Sequence, residues 1–113
     1  MGSEFEKNII NLEDYFVDYP NSDILSQIER GNILLDKIKV ENLDIIEVFN
    51  SMQEYLTKLA MDNFESKDFI LADIKKTELA KKQIMASMMP KYVLESLSIS
   101  LSKEGRLWGI KKQ

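Results

Sequence analysis

The chain contains no cysteine and no histidine. The first absence excludes disulfides and thiolate metal sites, and it suits a reducing compartment. The second removes the commonest general base and the commonest transition-metal ligand. Together they exclude most nucleophile constellations. Glycines number only four, and no GxGxxG or Walker-type phosphate loop is spelled among them. No apolar run approaches the roughly 20 residues of a membrane span, and no secretory signal pattern is present. The expectation is a cytoplasmic protein with no membrane span and no cofactor.

What is present is ordinary for a small globular domain. Of 113 residues, 44% are apolar and 30% charged, too apolar for intrinsic disorder. Residues 1–5, Met-Gly-Ser-Glu-Phe, read as an initiator followed by a cloning scar. Residues 6–113 are expected to form a single helical domain, and a chain opening near Glu6 suggests a piece of a longer protein.

Apolar spacing predicts helices along most of this length. Residues 8–19 are apolar and aromatic with interspersed acids, compatible with a short helix that Pro20 ends. Asn21, Ser22 and Asp23 supply N-cap side chains. Ile24, Leu25, Ile28, Leu34, Leu35 and Ile38 then share one helical face. Gly31 interrupts it, which implies either a bend or a close neighbour. Ile45, Phe49, Met52, Leu56 and Leu59 alternate spacings of four and three in a heptad-like seam. A break between residues 62 and 66 is preferred to one continuous rod over 43–88. Pro90 stops the next segment or opens a new one at its first position.

The end of the chain reads differently. Serines alternate with Leu97, Ile99 and Leu101, and Gly105 separates these from Leu107, Trp108 and Ile110. Period-two spacing puts the apolar side chains on one strand face. A short β-hairpin over 96–112, turning at Gly105, is favoured over continued helix through Leu94, Leu97 and Leu101. The fold expected is mainly α: a small bundle of three to four helices with a short C-terminal hairpin.

Candidate chemistry is sparse. Glu41, Asp44 and Glu47 lie three apart and could offer oxygen ligands to a hard cation. Acids in a first helical turn complement the helix dipole, and this reading prevails. No metal site, catalytic residue or enzyme is expected. Residues 1–73 carry 16 acids and 6 bases, whereas residues 74–113 carry 3 acids and 9 bases. Lys75, Lys76, Lys81, Lys82, Lys91, Arg106, Lys111 and Lys112 are therefore candidate anion contacts. The same asymmetry suits an acidic protein partner, or packing of the two parts on each other.

The function expected is a non-enzymatic protein–protein interaction or assembly module that self-associates and meets a further protein partner. Its candidate interface comprises Ile45, Phe49, Met52 and Leu56 on the heptad-like seam, the adaptable methionines Met85, Met88 and Met89, and Trp108. The alternative is a nucleic-acid-associated protein using the basic residues 74–113.

Overall fold

A computed structural model describes residues 11–62, 65 and 67–111, with residues 108–111 described by their backbone alone. Five helices follow in order: α1 (Ile24–Val40), α2 (Ile45–Asp62), α3 (Lys67–Met85), α4 (Pro90–Leu101) and α5 (Lys103–Lys111). The chain is mainly helical, as expected, and no strand occurs among the described residues.

Local chemistry sets the helix ends. Asp23 caps α1: its carboxylate accepts from the Ser26 amide at 3.1 Å and the Ser26 hydroxyl at 2.7 Å. These bonds hold the Asp23 carboxyl below its usual range. After α1, Asn42 takes a left-handed φ of 53°, and the Leu43 amide reaches back to the Ile38 carbonyl at 2.9 Å. Ser87 repeats the device after α3, with φ 68° and the Met88 amide 3.0 Å from the Gln83 carbonyl. Such closures satisfy carbonyls that the last helical turn leaves open. Pro90 opens α4, where its missing N–H costs nothing.

The helices pack in antiparallel neighbours. Lys81 on α3 reaches Asn50 and Gln53 on α2, whereas Lys67 and Leu71 share a cavity with Thr57, Ala60 and Met61. The start of α3 therefore faces the end of α2, and the two are separate helices rather than one rod. Ser66, a candidate cap for α3, lies outside the described residues. Against α1 runs α4. Gly31 meets Ser98 and Leu94, and the start of α1 meets Lys103 and Glu104. Between these pairs lie Val48, Phe49, Met52, Leu56, Leu94 and Leu101, all at 1% exposure or less. Each such side chain contributes about 1.5–3 kcal/mol through burial.

Residues 8–10 lie outside the described residues, and residues 13–20 form consecutive turns rather than the short helix that 8–19 allowed. They close the bundle with aromatic side chains. Leu12, Tyr15 and Phe16 are buried, and Phe16 stacks on Tyr55 of α2 with ring centroids 4.7 Å apart.

The hairpin expected over 96–112 is not formed. Residues 96–101 complete α4, residues 103–111 are α5, and Lys112 lies outside the described residues. The alternation misled because the serines are not a solvent face. Ser98 and Ser102 are fully buried, and the hydroxyls of Ser98, Ser100 and Ser102 donate to carbonyls three or four residues back. That local satisfaction lets a serine sit inside a helical core. Val93, Leu94, Leu97 and Leu101 then supply a helical stripe, which the bundle covers as it would not cover a lone hairpin. Gly105 does not turn with positive φ. It is needed because a Cβ there would lie 2.0 Å from the Ile99 carbonyl oxygen.

Of the two readings of Gly31, a bend or a close neighbour, the second is found, and the neighbour is a side chain. A Cβ at this position would sit 2.5 Å from Ser98 Oγ, a hydroxyl already bonded to Tyr15 and to the Leu94 carbonyl. Gly31→Ala is expected to destabilise the chain by about 1–3 kcal/mol. In a Ser98→Ala background the same change should be neutral or favourable, as alanine exceeds glycine by about 1 kcal/mol in a helix. Urea unfolding of the four chains in this double-mutant cycle measures both effects.

Candidate functional site

Asp73 lies on the buried stripe of α3 with Ile70, Thr77 and Ala80 and is completely inaccessible. A carboxylate there requires partners. It accepts three hydrogen bonds: from an Arg106 N–H of α5 at 2.7 Å, from the Lys76 ammonium at 3.0 Å and from the Tyr19 O–H at 2.5 Å. Arg106 also donates to the carbonyls of Pro20 and Leu101, at 2.6 and 3.0 Å. Its guanidinium lies over the rings of Tyr19 and Phe69, 5.4 and 5.2 Å from their centroids, in range for cation–π attraction. Lys76 adds a bond to the Ser100 carbonyl at 3.0 Å. One carboxylate thus joins the N-terminal turns, α3, the end of α4 and α5.

A second polar cluster lies between the N-terminal turns, α1 and α4. The Tyr15 hydroxyl and Ser98 Oγ are 2.8 Å apart, and Gln27 donates to the Tyr15 carbonyl while accepting from Ser22. Burial pushes the Tyr15 phenol from 10.0 up to about 12, against the opposing effect of its hydrogen bonds to Ser98 and Gln27. Tyr19 is held well above the ordinary phenol range, first by burial and then by the Asp73 carboxylate.

The candidate interface residues are distributed between the interior and two ends of the bundle. Phe49, Met52 and Leu56 are completely buried within the single chain, and Ile45 is half-buried against the same core. The heptad-like seam closes the chain's own core and is not a free face for a second copy. The reason is α3, whose stripe packs antiparallel on α2. Met85, Met88 and Met89 stay together at the α3–α4 corner, with exposures of 69%, 46% and 60%, and Tyr92 joins them at 59%. Val40, 85% exposed, ends α1 at the same end of the bundle. The backbone of Trp108 is in α5, at the opposite end; its side chain lies outside the description.

The cationic candidates also divide. Lys76 and Arg106 serve Asp73, and Lys81 holds Asn50, Gln53 and Glu78 at 2.8, 3.1 and 3.2 Å. These three side chains hold the fold together. Lys75, Lys82 and Lys91 are exposed, whereas the side chains of Lys111 and Lys112 lie outside the description. Glu41, Asp44 and Glu47 are exposed around the start of α2, where Asp44 accepts from the Ile46 amide at 2.9 Å. No group of three metal-ligating side chains converges among the described residues. No helix described is long and apolar enough to cross a membrane.

Composition alone does not single out Asp73 or Tyr19. The signal for Asp73 was its register: it lies three residues after Ile70 and four before Thr77, on the inward stripe. The chain matches no protein-family model, no curated protein and no solved structure.

Removing Arg106 leaves Asp73 buried with only one cation. Arg106→Gln is expected to destabilise the chain by about 3–5 kcal/mol, with Asp73→Asn close behind and the double change well below the sum. Chemical denaturation of the three variants gives the coupling.

Alkaline pH offers a separate check. Between 10.0 and about 12 the folded chain retains the Tyr15 proton that the unfolded chain has lost. Stability therefore falls as pH rises through that window, by about 1.4 kcal/mol per unit for a fully buried phenol. Tyr15→Phe should remove its share of this slope and leave the share of Tyr19, which is also raised, as measured by denaturation at a series of pH values.

Proposed function

We propose that this protein is a non-enzymatic interaction and assembly module, and that its α3–α4 corner receives an amphipathic, acidic helical segment of a partner protein. The observation carrying this reading is the joint exposure of Met85, Met88, Met89 and Tyr92 beside a tightly closed turn. Methionine side chains are unbranched and polarizable, so they adapt to a partner's apolar stripe. Tyrosine contributes area at small entropic cost. Lys82, one turn before Met85, and Lys91, beside Tyr92, are exposed and complement acidic flanks on the incoming segment. Helix-in-groove recognition uses this combination of apolar anchors and charged rim.

The nucleic-acid alternative loses support from the geometry. Lys76, Lys81 and Arg106 are engaged inside the chain, which leaves Lys75, Lys82 and Lys91 as exposed cations from that set among the described residues.

Met88→Glu combined with Met89→Glu tests the reading. Both side chains are exposed, so stability should change by no more than about 0.5 kcal/mol. Wild-type bait is expected to retain a protein partner that the variant loses, and Lys82→Gln with Lys91→Gln should chiefly slow association. Equal capture by wild type and the methionine variant would reject the corner. Binding to anionic vesicles, or to RNA with steep salt dependence, in place of a protein would reject the partner class.

A further inference from the structure

The sequence holds six methionines and no cysteine. Without a thiolate to react first, the thioethers are the groups of this chain that a peroxide oxidises most readily by two electrons. The oxidant must reach the sulfur, and the fold sorts the methionines by access. Met52 is completely buried in the core, whereas Met85, Met88 and Met89 are exposed together at the α3–α4 corner. Met61, at 73% exposure, lies near the end of α2 and away from that corner.

The α3–α4 turn does not depend on its thioethers. Backbone bonds close it: the Ala86 amide donates to the Lys82 carbonyl at 3.0 Å, the Ser87 amide to Ile84 at 2.9 Å and the Met88 amide to Gln83 at 3.0 Å. Met89 stands at the N-cap of α4, but its side chain makes no capping bond. Its carbonyl accepts from the Tyr92 and Val93 amides, each at 3.1 Å. An oxygen atom added to any of the three exposed sulfurs is solvated and leaves these bonds in place. An oxygen added to Met52 would put an unpaired dipole in the core. At the corner, methionine oxidation therefore changes the surface and spares the fold.

We propose that Met85, Met88 and Met89 form a redox-sensitive modification site, at which hydrogen peroxide converts thioethers to sulfoxides and switches off docking at the α3–α4 corner. In each step a sulfur lone pair attacks one peroxide oxygen. The O–O bond breaks, an S–O bond forms, and the other oxygen leaves as water. Sulfur is oxidised by two electrons and the peroxide is reduced by two. The sulfoxide is polar and a strong hydrogen-bond acceptor, so a partner's apolar stripe can cover it only by stripping its water. Three such groups fall within residues 85–89, which concentrates the change on one surface. The loss of docking rests on the role assigned to this corner under the proposed function, whereas the oxidation chemistry does not.

Limited treatment with hydrogen peroxide, followed by peptide mass mapping, reads the site. Sulfoxide is expected at Met85, Met88 and Met89, and at Met61 as an exposed reference, with Met52 spared until urea unfolds the chain. The urea midpoint of the oxidised chain should match that of the reduced one. Corner methionines that react no faster than Met52, or a chain that unfolds on their oxidation, overturn the proposal. The docking probe is a synthetic amphipathic helix with a leucine stripe and glutamate flanks. Oxidation should weaken its binding about tenfold or more, and methionine sulfoxide reductases supplied with a dithiol should restore it. A chain carrying Met85→Leu, Met88→Leu and Met89→Leu keeps an apolar corner without sulfur, and should bind equally before and after peroxide. Wild-type binding that survives complete oxidation of the corner overturns the switch and leaves the docking role standing. Absence of binding by the reduced chain rejects the docking role and the switch with it, while the peptide map decides the modification site by itself.

Discussion

The carboxylate of Asp73 is the constraint around which the rest of this structure is arranged. A charge with no solvent access is tolerable only when fully paired and hydrogen-bonded, and its three donors come from three places in the chain: Tyr19, Lys76 and Arg106. Meeting that requirement draws the N-terminal turns and α5 onto α3, although α5 brings little apolar surface in its described side chains. Apolar burial between α2 and α3 and between α1 and α4 supplies the bulk of the cohesion. The Asp73 hub decides which way the ends of the chain are tucked.

The lopsided charge distribution finds part of its explanation here. Arg106, from the basic end, is bound to Asp73, and Lys81 is anchored to amide side chains of α2. What faces outward at the α3–α4 corner is therefore a mixture of apolar side chains and a few lysines rather than a continuous basic surface. In the proposed reading of this corner, the apolar anchors would carry affinity and the charges orientation.

Several buried polar groups are satisfied close to home. Ser98, Ser100 and Ser102 bond to carbonyls of their own helix, and Thr77 bonds to the Asp73 carbonyl. These short-range bonds allow small polar residues to occupy inward positions, where Ser98 also lets α1 approach closely at Gly31. The polar residues thus shape the helix interfaces instead of marking the surface.

By itself the sequence determined the helical class and narrowed three local choices: an N-cap among Asn21, Ser22 and Asp23, Pro90 as a stop or a first helical position, and Gly31 as a bend or a close neighbour. Each of these follows from local chemistry: hydrogen bonds between near neighbours, proline's missing donor and glycine's missing Cβ. The stripe Phe49, Met52 and Leu56 was equally legible as apolar, but spacing says only that such a face must be covered. Whether α3 or a second chain covers it is a tertiary question, and α3 does so. Only the tertiary structure decided that residues 96–101 are helix, because two patterns overlap there and burial against α1 selects the helical one. It alone revealed the Asp73 hub, since Tyr19, Asp73 and Arg106 are separated by 54 and 33 residues and no local periodicity links groups that meet only when the helices are packed.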